Sequence, residues 1–453
     1  MALSFVIHAA LVVPLAWLII PPRPPATFLP VAVVALPSPP EQPIRDLVFV
    51  KTAEPLPTGL EVRPEVAEPE APAPEALLPA EITLLPIPQA HPKPTTGADL
   101  ADLPTGGGLS GRRAEIRERL ALARGGTPAS EVAVVRGLAW LAAHQQADGS
   151  WRFDHQAGPC QGQCRDSGRE KSTTAATGLA LLPFLGAGHT HLSGEHRGTV
   201  ARGLLYLISQ RVESPRGGDL RDGSMYGQGL ATLALCEAGA LTEDPDLLAA
   251  GQSAIEFIVR AQHSGGGWRY FPGQAGDITV LGWQWMALRG GQLAGLPVPT
   301  ETLVRAGEFL DGVQADGGVG YGYQLSDRQP TSTAIGLLCR MYSGWRQSDP
   351  RLARGAARLA KMGPSLDDPY FNYHATQVLH HLQSAEWPTW NERLRERLIA
   401  TQADRGHEAG SWHFADPHTA VGGRLCDTAL CLLTLEVYYR YLPLYGEAGV
   451  EMR

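Results

Sequence analysis

The sequence predicts an all-α protein assembled from repeated helix pairs, and three observations predict it. The first is the stretch from Arg136 to Trp151, whose ordered parts are Arg136-Gly137, Trp140-Leu141, Gln145, Gly149 and Trp151. The second is its return downstream. Ser253-Ala254, Phe257-Ile258, Gln262, Gly266 and Trp268 repeat the whole spacing, and Arg305-Ala306, Phe309-Leu310, Gln314 and Gly318 repeat all but the last Trp. Gln210, Gln262 and Gln314 stand 52 residues apart. The third is the apolar period: Val134, Leu138 and Leu141 fall at i, i+4 and i+7 and give one stripe that ends at the Asp148-Gly149 breaker. A repeat of this length marks an array of one supersecondary unit that cannot bury its apolar face alone.

The pattern resembles the glutamine-tryptophan repeat of the terpenoid cyclase and protein prenyltransferase superfamily. That resemblance covers roughly residues 112 to 445 and implies a single (α/α)6 toroid, with outer helices ringing inner ones, the Gln bonded at a helix end and the Trp stacked over it. A basic amphipathic helix from Arg112 to Arg124 opens the globular part, within a lead-in spanning 111–130, and the toroid occupies 131–445 before a short tail, 446–453. Outer helices are expected near 131–145, 197–210, 247–262, 300–314, 350–362 and 389–402. Their inner partners are expected to start near 172, 226, 277, 331, 370 and 424. The fifth unit keeps Arg354-Gly355 and Leu359 but loses Gln and Trp; the sixth recovers Gln402 and Gly410-Ser411-Trp412 after an insertion.

The chain has 453 residues and a net charge of −8, which argues against a nucleic-acid surface, because phosphate binding needs clustered Lys and Arg. Leu3 to Ile20 is an apolar run, and eighteen helical residues span about 27 Å, enough for a bilayer core of about 30 Å. Residues 1–20 therefore read as a transmembrane anchor; a cleaved signal peptide is the alternative, although the basic n-region is missing. Residues 21–110 hold more than half of the 37 prolines and form no packed core, so they read as an extended linker reaching at most roughly 280 Å. Ser4 and His8 share one helix face. With Leu15 and the proline-rich tether they resemble the anchor of TonB-type proteins, a resemblance that implies coupling to an ExbB/ExbD-type membrane complex. The second Ser of that family is Ile19 here. Together these readings imply a single pass through the inner (cytoplasmic) membrane with the toroid on the periplasmic side.

In a toroid the inner helices begin at one mouth, where their free N–H groups favour anions. The polar residues expected there are Thr173 and Thr174, Tyr226 and Gln228, Asp277 and Thr279, Thr331 to Thr333, Asn372 to His374, and Arg424 with Asp427. Trp283 lies deeper, and Tyr226, Gln228, Trp283, Thr333, Tyr373, Arg424 and Cys426 are the candidate lining of a pocket for a hydrophobic, amphiphilic or isoprenoid ligand. Helix capping is the plainer role for the Thr, Ser and Asp among the first-turn residues.

Two enzyme families of the superfamily test the chemistry. Squalene cyclases protonate an alkene with an Asp-x-Asp-Asp-Thr-Ala motif, and the nearest stretch here is Arg424-Leu425-Cys426-Asp427-Thr428-Ala429. Cys426 stands where the acid belongs, and a thiol with a pKa near 8.5 is too weak for that step. Prenyltransferases hold zinc with Asp, Cys and His on neighbouring inner helices, which makes His374, Cys426 and Asp427 metal candidates and zinc the cofactor they suit, though the family order is reversed here. Of the six cysteines, Cys236, Cys339, Cys426 and Cys431 fall in helical stretches and read as small core residues. Cys160 and Cys164 lie in a loop and read most simply as a disulfide; with His155 nearby, a metal knuckle is the alternative.

The carboxyl half, through Gly276 to Gln284, Ala334 to Tyr342, Tyr373 to Gln377 and Leu435 to Tyr441, resembles bacterial membrane-anchored prenyltransferase and squalene-oxidase repeat proteins. Fold does not imply function. The leading expectation is therefore a tethered toroid that binds a hydrophobic or amphiphilic ligand or an envelope partner. The alternatives are a divergent prenyltransferase-like or cyclase-like enzyme using Asp277, His374 and Asp427, and a structural envelope protein.

Overall fold

The computed structural model describes residues 108–445, and within them a closed ring of helix pairs. A lead-in helix α1 (Ala114–Ala123) precedes the first outer helix, α2 (Pro128–Ala143), and its inner partner, α3 (Thr173–Gly186). The later pairs are α4 (Arg197–Gln210) with α5 (Met225–Thr242), α6 (Pro245–Ala261) with α7 (Ile278–Leu293), α8 (Thr300–Val313) with α9 (Pro330–Tyr342), α10 (Pro350–Met362) with α11 (Pro369–Leu382), and α12 (Trp387–Thr401) with α13 (Gly423–Leu435). A last short helix, α14 (Val437–Arg440), follows. Each inner helix packs on the next and α13 packs back on α3, so the inner layer closes, and the last outer helix, α12, packs on the first, α2. The inner helices are buried along almost their whole length, while the outer ones keep a solvent face.

Local chemistry sets the helix starts. Thr127 and Ser130 form a capping box that brackets Pro128, and Ser172, Ser224, Asp244, Asp277, Asp349 and Asp368 each accept a hydrogen bond from a first-turn N–H. The plainer capping role thus holds for Asp277, at the start of α7.

The repeat motif acts between units. Gln145 Nε2 donates to the carbonyls of Gly149 and Thr199, both at 2.9 Å; Gln262 Nε2 donates to Gly266 (2.7 Å) and Thr302 (2.9 Å); Gln402 Nε2 donates to Gly410 and Ala133, both at 2.8 Å. Each Gln therefore ties its own turn to the next outer helix, and Gln402 reaches the first, which closes the ring. The Trp indole N–H groups bond back to the outer helix: Trp151 to Leu141 (2.7 Å), Trp268 to Ile258 (2.8 Å) and Trp412 to Leu398 (2.7 Å). Gly266 sits at φ +85°, and a Cβ there would run into the Arg305 carbonyl.

Units two and four depart from the all-helical expectation. Their turns are two-stranded antiparallel ribbons, β1 (Val212–Ser214) with β2 (Gly217–Asp219), and β3 (Gln314–Ala315) with β4 (Gly320–Tyr321). Gln210 is exposed and its side chain donates to the Ser209 hydroxyl at 3.4 Å, with no bond to the next outer helix among the described residues, so the motif glutamine has lost its task there. Gln228 of α5 takes it over, accepting from Leu220 N–H (2.7 Å) and donating to the carbonyls of Gly218 (3.0 Å) and Ala254 (3.1 Å) on α6.

A buried polar cluster links α5, α11 and α14 to the turn before α1. Tyr373 stacks on Trp283, ring centres 5.9 Å apart, and its hydroxyl accepts from Arg440 Nη1 at 2.9 Å. Arg440 Nη2 pairs with Glu237 at 3.2 Å, and Glu237 pairs with Arg112 Nη1 at 2.8 Å; Tyr441 also donates to Glu237. Burial alone would raise the Glu237 carboxyl, but Arg112 and Arg440 hold it below its ordinary value. Arg112, expected on a basic helix, is instead a buried partner of this cluster in the 3-10 turn Ser110–Arg112 before α1. The two ends of the described chain thus meet on one carboxylate of α5.

No helix among the described residues is long and apolar enough to cross a membrane. The expected anchor with Ser4 and His8, and the proline-rich stretch up to residue 107, lie outside the described residues.

Candidate functional site

The first turns of α5, α7 and α11 build an aromatic mouth over two buried acceptors. Asp277 Oδ1 caps α7, accepting from the N–H groups of Thr279 (3.0 Å) and Val280 (2.9 Å) and from the Thr279 hydroxyl (2.7 Å). Its Oδ2 is buried and carries no hydrogen bond; Arg269 Nε lies 3.7 Å away. Tyr226 shares a hydroxyl contact of 2.8 Å with Thr279, and Tyr270 one of 3.4 Å with Tyr323. Burial, with the Asp277 charge adding to it, pushes the Tyr226, Tyr323 and Tyr370 phenols up, so all stay protonated.

His374 lies under Tyr370 and against Trp283 and Tyr373, with ring centres 4.6, 6.0 and 4.8 Å away. Its Nδ1 faces the Tyr370 carbonyl at 3.0 Å, which leaves Nε2 as a buried acceptor without a partner. Burial lowers this imidazole to about 4, so it is neutral at pH 7. The mouth thus gathers Asp277, His374, Tyr226 and Trp283 of the expected residues, with Tyr373 below them.

Asp427 and Arg424 belong to a separate polar group at the start of α13. Asp427 Oδ2 accepts from Phe414 N–H at 2.9 Å and faces His413 Nδ1 at 3.0 Å. Arg424 pairs with Asp166 at 2.6 Å and donates to the Arg165 carbonyl (3.1 Å) and the Ser411 hydroxyl (3.1 Å). It is a brace between the first and last units. Burial, then Asp427 and Asp416, push the Cys426 thiol well up, which makes it a still weaker acid than a free thiol. Among the described residues, His374, Cys426 and Asp427 do not converge as a ligand set. Gln228 and Thr333 differ from the expected pocket lining: the first bonds the β1–β2 ribbon and α6, and the second bonds Tyr321 N–H in β4 at 3.1 Å. Both hold turns, because ribbon units lack the motif glutamine bond.

Cys160 and Cys164 are free, so the expected disulfide is not formed. Both are fully buried, and the Cys164 N–H donates to Cys160 Sγ at 3.3 Å. Cys164 Sγ lies 3.4 Å from His144 Nε2 and 3.2 Å from His407 Nδ1; Cys160 Sγ lies 3.9 Å from His407 Nδ1. Burial pushes the Cys164 thiol up to about 12 and His144 down to about 4, so neither carries charge at pH 7 with no cation between them. His155 flanks the group, its ring centre 5.7 Å from that of His144. Sequence reasoning missed His144 and His407. The usable signal was a His directly before the motif Gln145, and another in the insertion that follows Gln402.

No known family profile matches the chain, and no curated protein matches it. Among solved structures, the chain is similar to the type II terpene cyclase MstE from Scytonema in its apo form, at 13% identity over 68% of this chain and 97% of that chain, TM-score 0.47. It is also similar to an inactive variant of the α-1,6-mannanase GH76A of Salegentibacter sp., at 10% identity over 69% and 99%, TM-score 0.47. A third is a novel alpha-amylase from Clostridium perfringens, at 10% identity over 68% and 98%, TM-score 0.46. These proteins differ in chemistry, and none of their activities passes to this chain.

Proposed function

We propose that the ring is a binding module and that its ligand is an amphiphile whose hydroxyl- or amine-bearing head docks at the mouth. The observation that carries this reading is the buried His374 Nε2, an acceptor with no hydrogen bond, together with Asp277 Oδ2, whose ion pair with Arg269 Nε is long at 3.7 Å, close to the phenols of Tyr226, Tyr323 and Tyr370. A buried acceptor left unpaired costs about 1–3 kcal/mol, and donors on a ligand remove that cost. Aromatic rings add apolar faces with polar tips, which suits a head group carried on an apolar body. The alternative of an isoprenoid enzyme has less support: Tyr373, Arg440, Glu237 and Arg112 form a buried, mutually paired polar cluster among the inner helices, and Cys426 is a poor proton donor. On sequence alone, residues 1–20 serve as an anchor and residues 21–110 as a tether that holds the ring on the periplasmic side of the inner membrane.

The test is native mass spectrometry of the full chain purified in mild detergent, followed by lipid extraction. A copurifying amphiphile that is depleted in Asp277→Asn and in His374→Phe supports the reading. An amphiphile retained equally in both variants, or a chain that copurifies with none and binds none from a membrane lipid extract, overturns it.

A further inference from the structure

We propose that His144, Cys160, Cys164 and His407 form a zinc-type metal site that clips the last unit of the ring to the first. One ligand atom from each of the four residues lies within 4.8 Å of all the others. Zinc holds sulfur at about 2.3 Å and imidazole nitrogen at about 2.0–2.1 Å in a tetrahedron, which places S and N ligands roughly 3.5 Å apart. The S···N separations of 3.2, 3.4 and 3.9 Å bracket that spacing. Two thiols and two imidazoles are also the donor set that selects zinc over harder cations.

The surroundings are built for it. His144 Nδ1 faces the Trp140 carbonyl at 2.7 Å, which places the proton on Nδ1 and turns the Nε2 lone pair toward Cys164. The loop that carries the cysteines turns at Gly158 and Gly162, with φ +66° and +73°, and brings the Cys164 N–H onto Cys160 Sγ, where it stabilises a thiolate. His144, Cys160 and Cys164 are buried, while His407 is partly exposed and offers a way in for the ion. On binding, the two thiol protons leave to solvent and two S–metal and two N–metal bonds form, with no change of oxidation state. All four positions are protein atoms, so the site is structural, with no open position for a reacting water.

Its place in the chain gives the site its task. His144 follows α2, the cysteines lie between α2 and α3, and His407 sits in the 3-10 turn Gly406–Glu408 between α12 and α13. The ion therefore joins units that are adjacent in space and at opposite ends of the ring sequence. Closing so long a loop is where a cross-link restricts the unfolded chain most.

The experiment is elemental analysis and zinc-edge X-ray absorption on the full chain, purified without chelator or added metal. The expected result is about one zinc per chain with two sulfur and two nitrogen neighbours, a ratio retained in Cys339→Ala and lost in Cys160→Ser and in His407→Ala. If either variant misfolds, cobalt exchanged into the unmodified chain shows tetrahedral bands with sulfur-to-cobalt charge transfer. A metal-free chain carrying a Cys160–Cys164 disulfide overturns the proposal. So does a metal with only oxygen and nitrogen neighbours, or one that persists in both variants.

Discussion

Replacing Glu237 by glutamine keeps the shape of the side chain and removes its charge, which strands two buried cations. Arg112 and Arg440 are 2% and 1% exposed and lie 2.8 and 3.2 Å from the carboxylate, so water cannot take its place. Breaking a buried pair by neutralising one partner costs about 3–5 kcal/mol. The assay is urea unfolding of the full chain, followed by Trp fluorescence at pH 7 and again at lower pH. Because the two arginines hold Glu237 below its ordinary value, its contribution is present above the unfolded carboxyl pKa of about 4.3 and is lost as pH falls through the lower folded value. Glu237→Gln should therefore lose stability at pH 7 and lack that acid limb. The triple variant Arg112→Met, Glu237→Leu, Arg440→Met should recover most of the loss, because it strands no charge. A single-variant loss below about 1 kcal/mol, or a triple variant no better than the single one, would refute the stranded-charge argument.

Other outcomes follow from the same contacts. Gln262→Ala removes bonds to two neighbouring segments and a partner of Arg305, and should cost about 1–3 kcal/mol, whereas Gln210→Ala should change stability by no more than about 0.5 kcal/mol; chemical unfolding compares them. Glu131 is pushed up to about 7 by burial, so its folded form holds a proton the unfolded chain has released. Stability should fall as pH rises from about 4.5 to 7, by at most about 3 kcal/mol, and Glu131→Gln should flatten that slope in thermal melts. Gly266→Ala should destabilise by about 1–3 kcal/mol, since φ is +85° and its Cβ meets the Arg305 carbonyl; a melting temperature equal to that of the unmodified chain would contradict the crowding.

What the sequence determined by itself is the repeat and everything local to it. The period, the Gln and Trp positions, the helix spans and the capping residues follow from apolar spacing and from residue types with one strong preference, so they were legible without neighbours. The failures share a cause: each depends on a partner far along the chain. Arg112 reads as a surface charge until Glu237 and Arg440 are placed beside it, and Gln228 and Thr333 read as pocket lining until the β1–β2 and β3–β4 ribbons claim their hydrogen bonds. Cys160 and Cys164 read as a disulfide because the nearest thiol in sequence is the nearest visible partner. Their two imidazoles stand on either side, at His144 and at His407, and only closure of the ring brings the last unit's turn onto the first. Composition and periodicity report one helix at a time; burial and coordination are properties of the closed ring, and only the tertiary structure decided them.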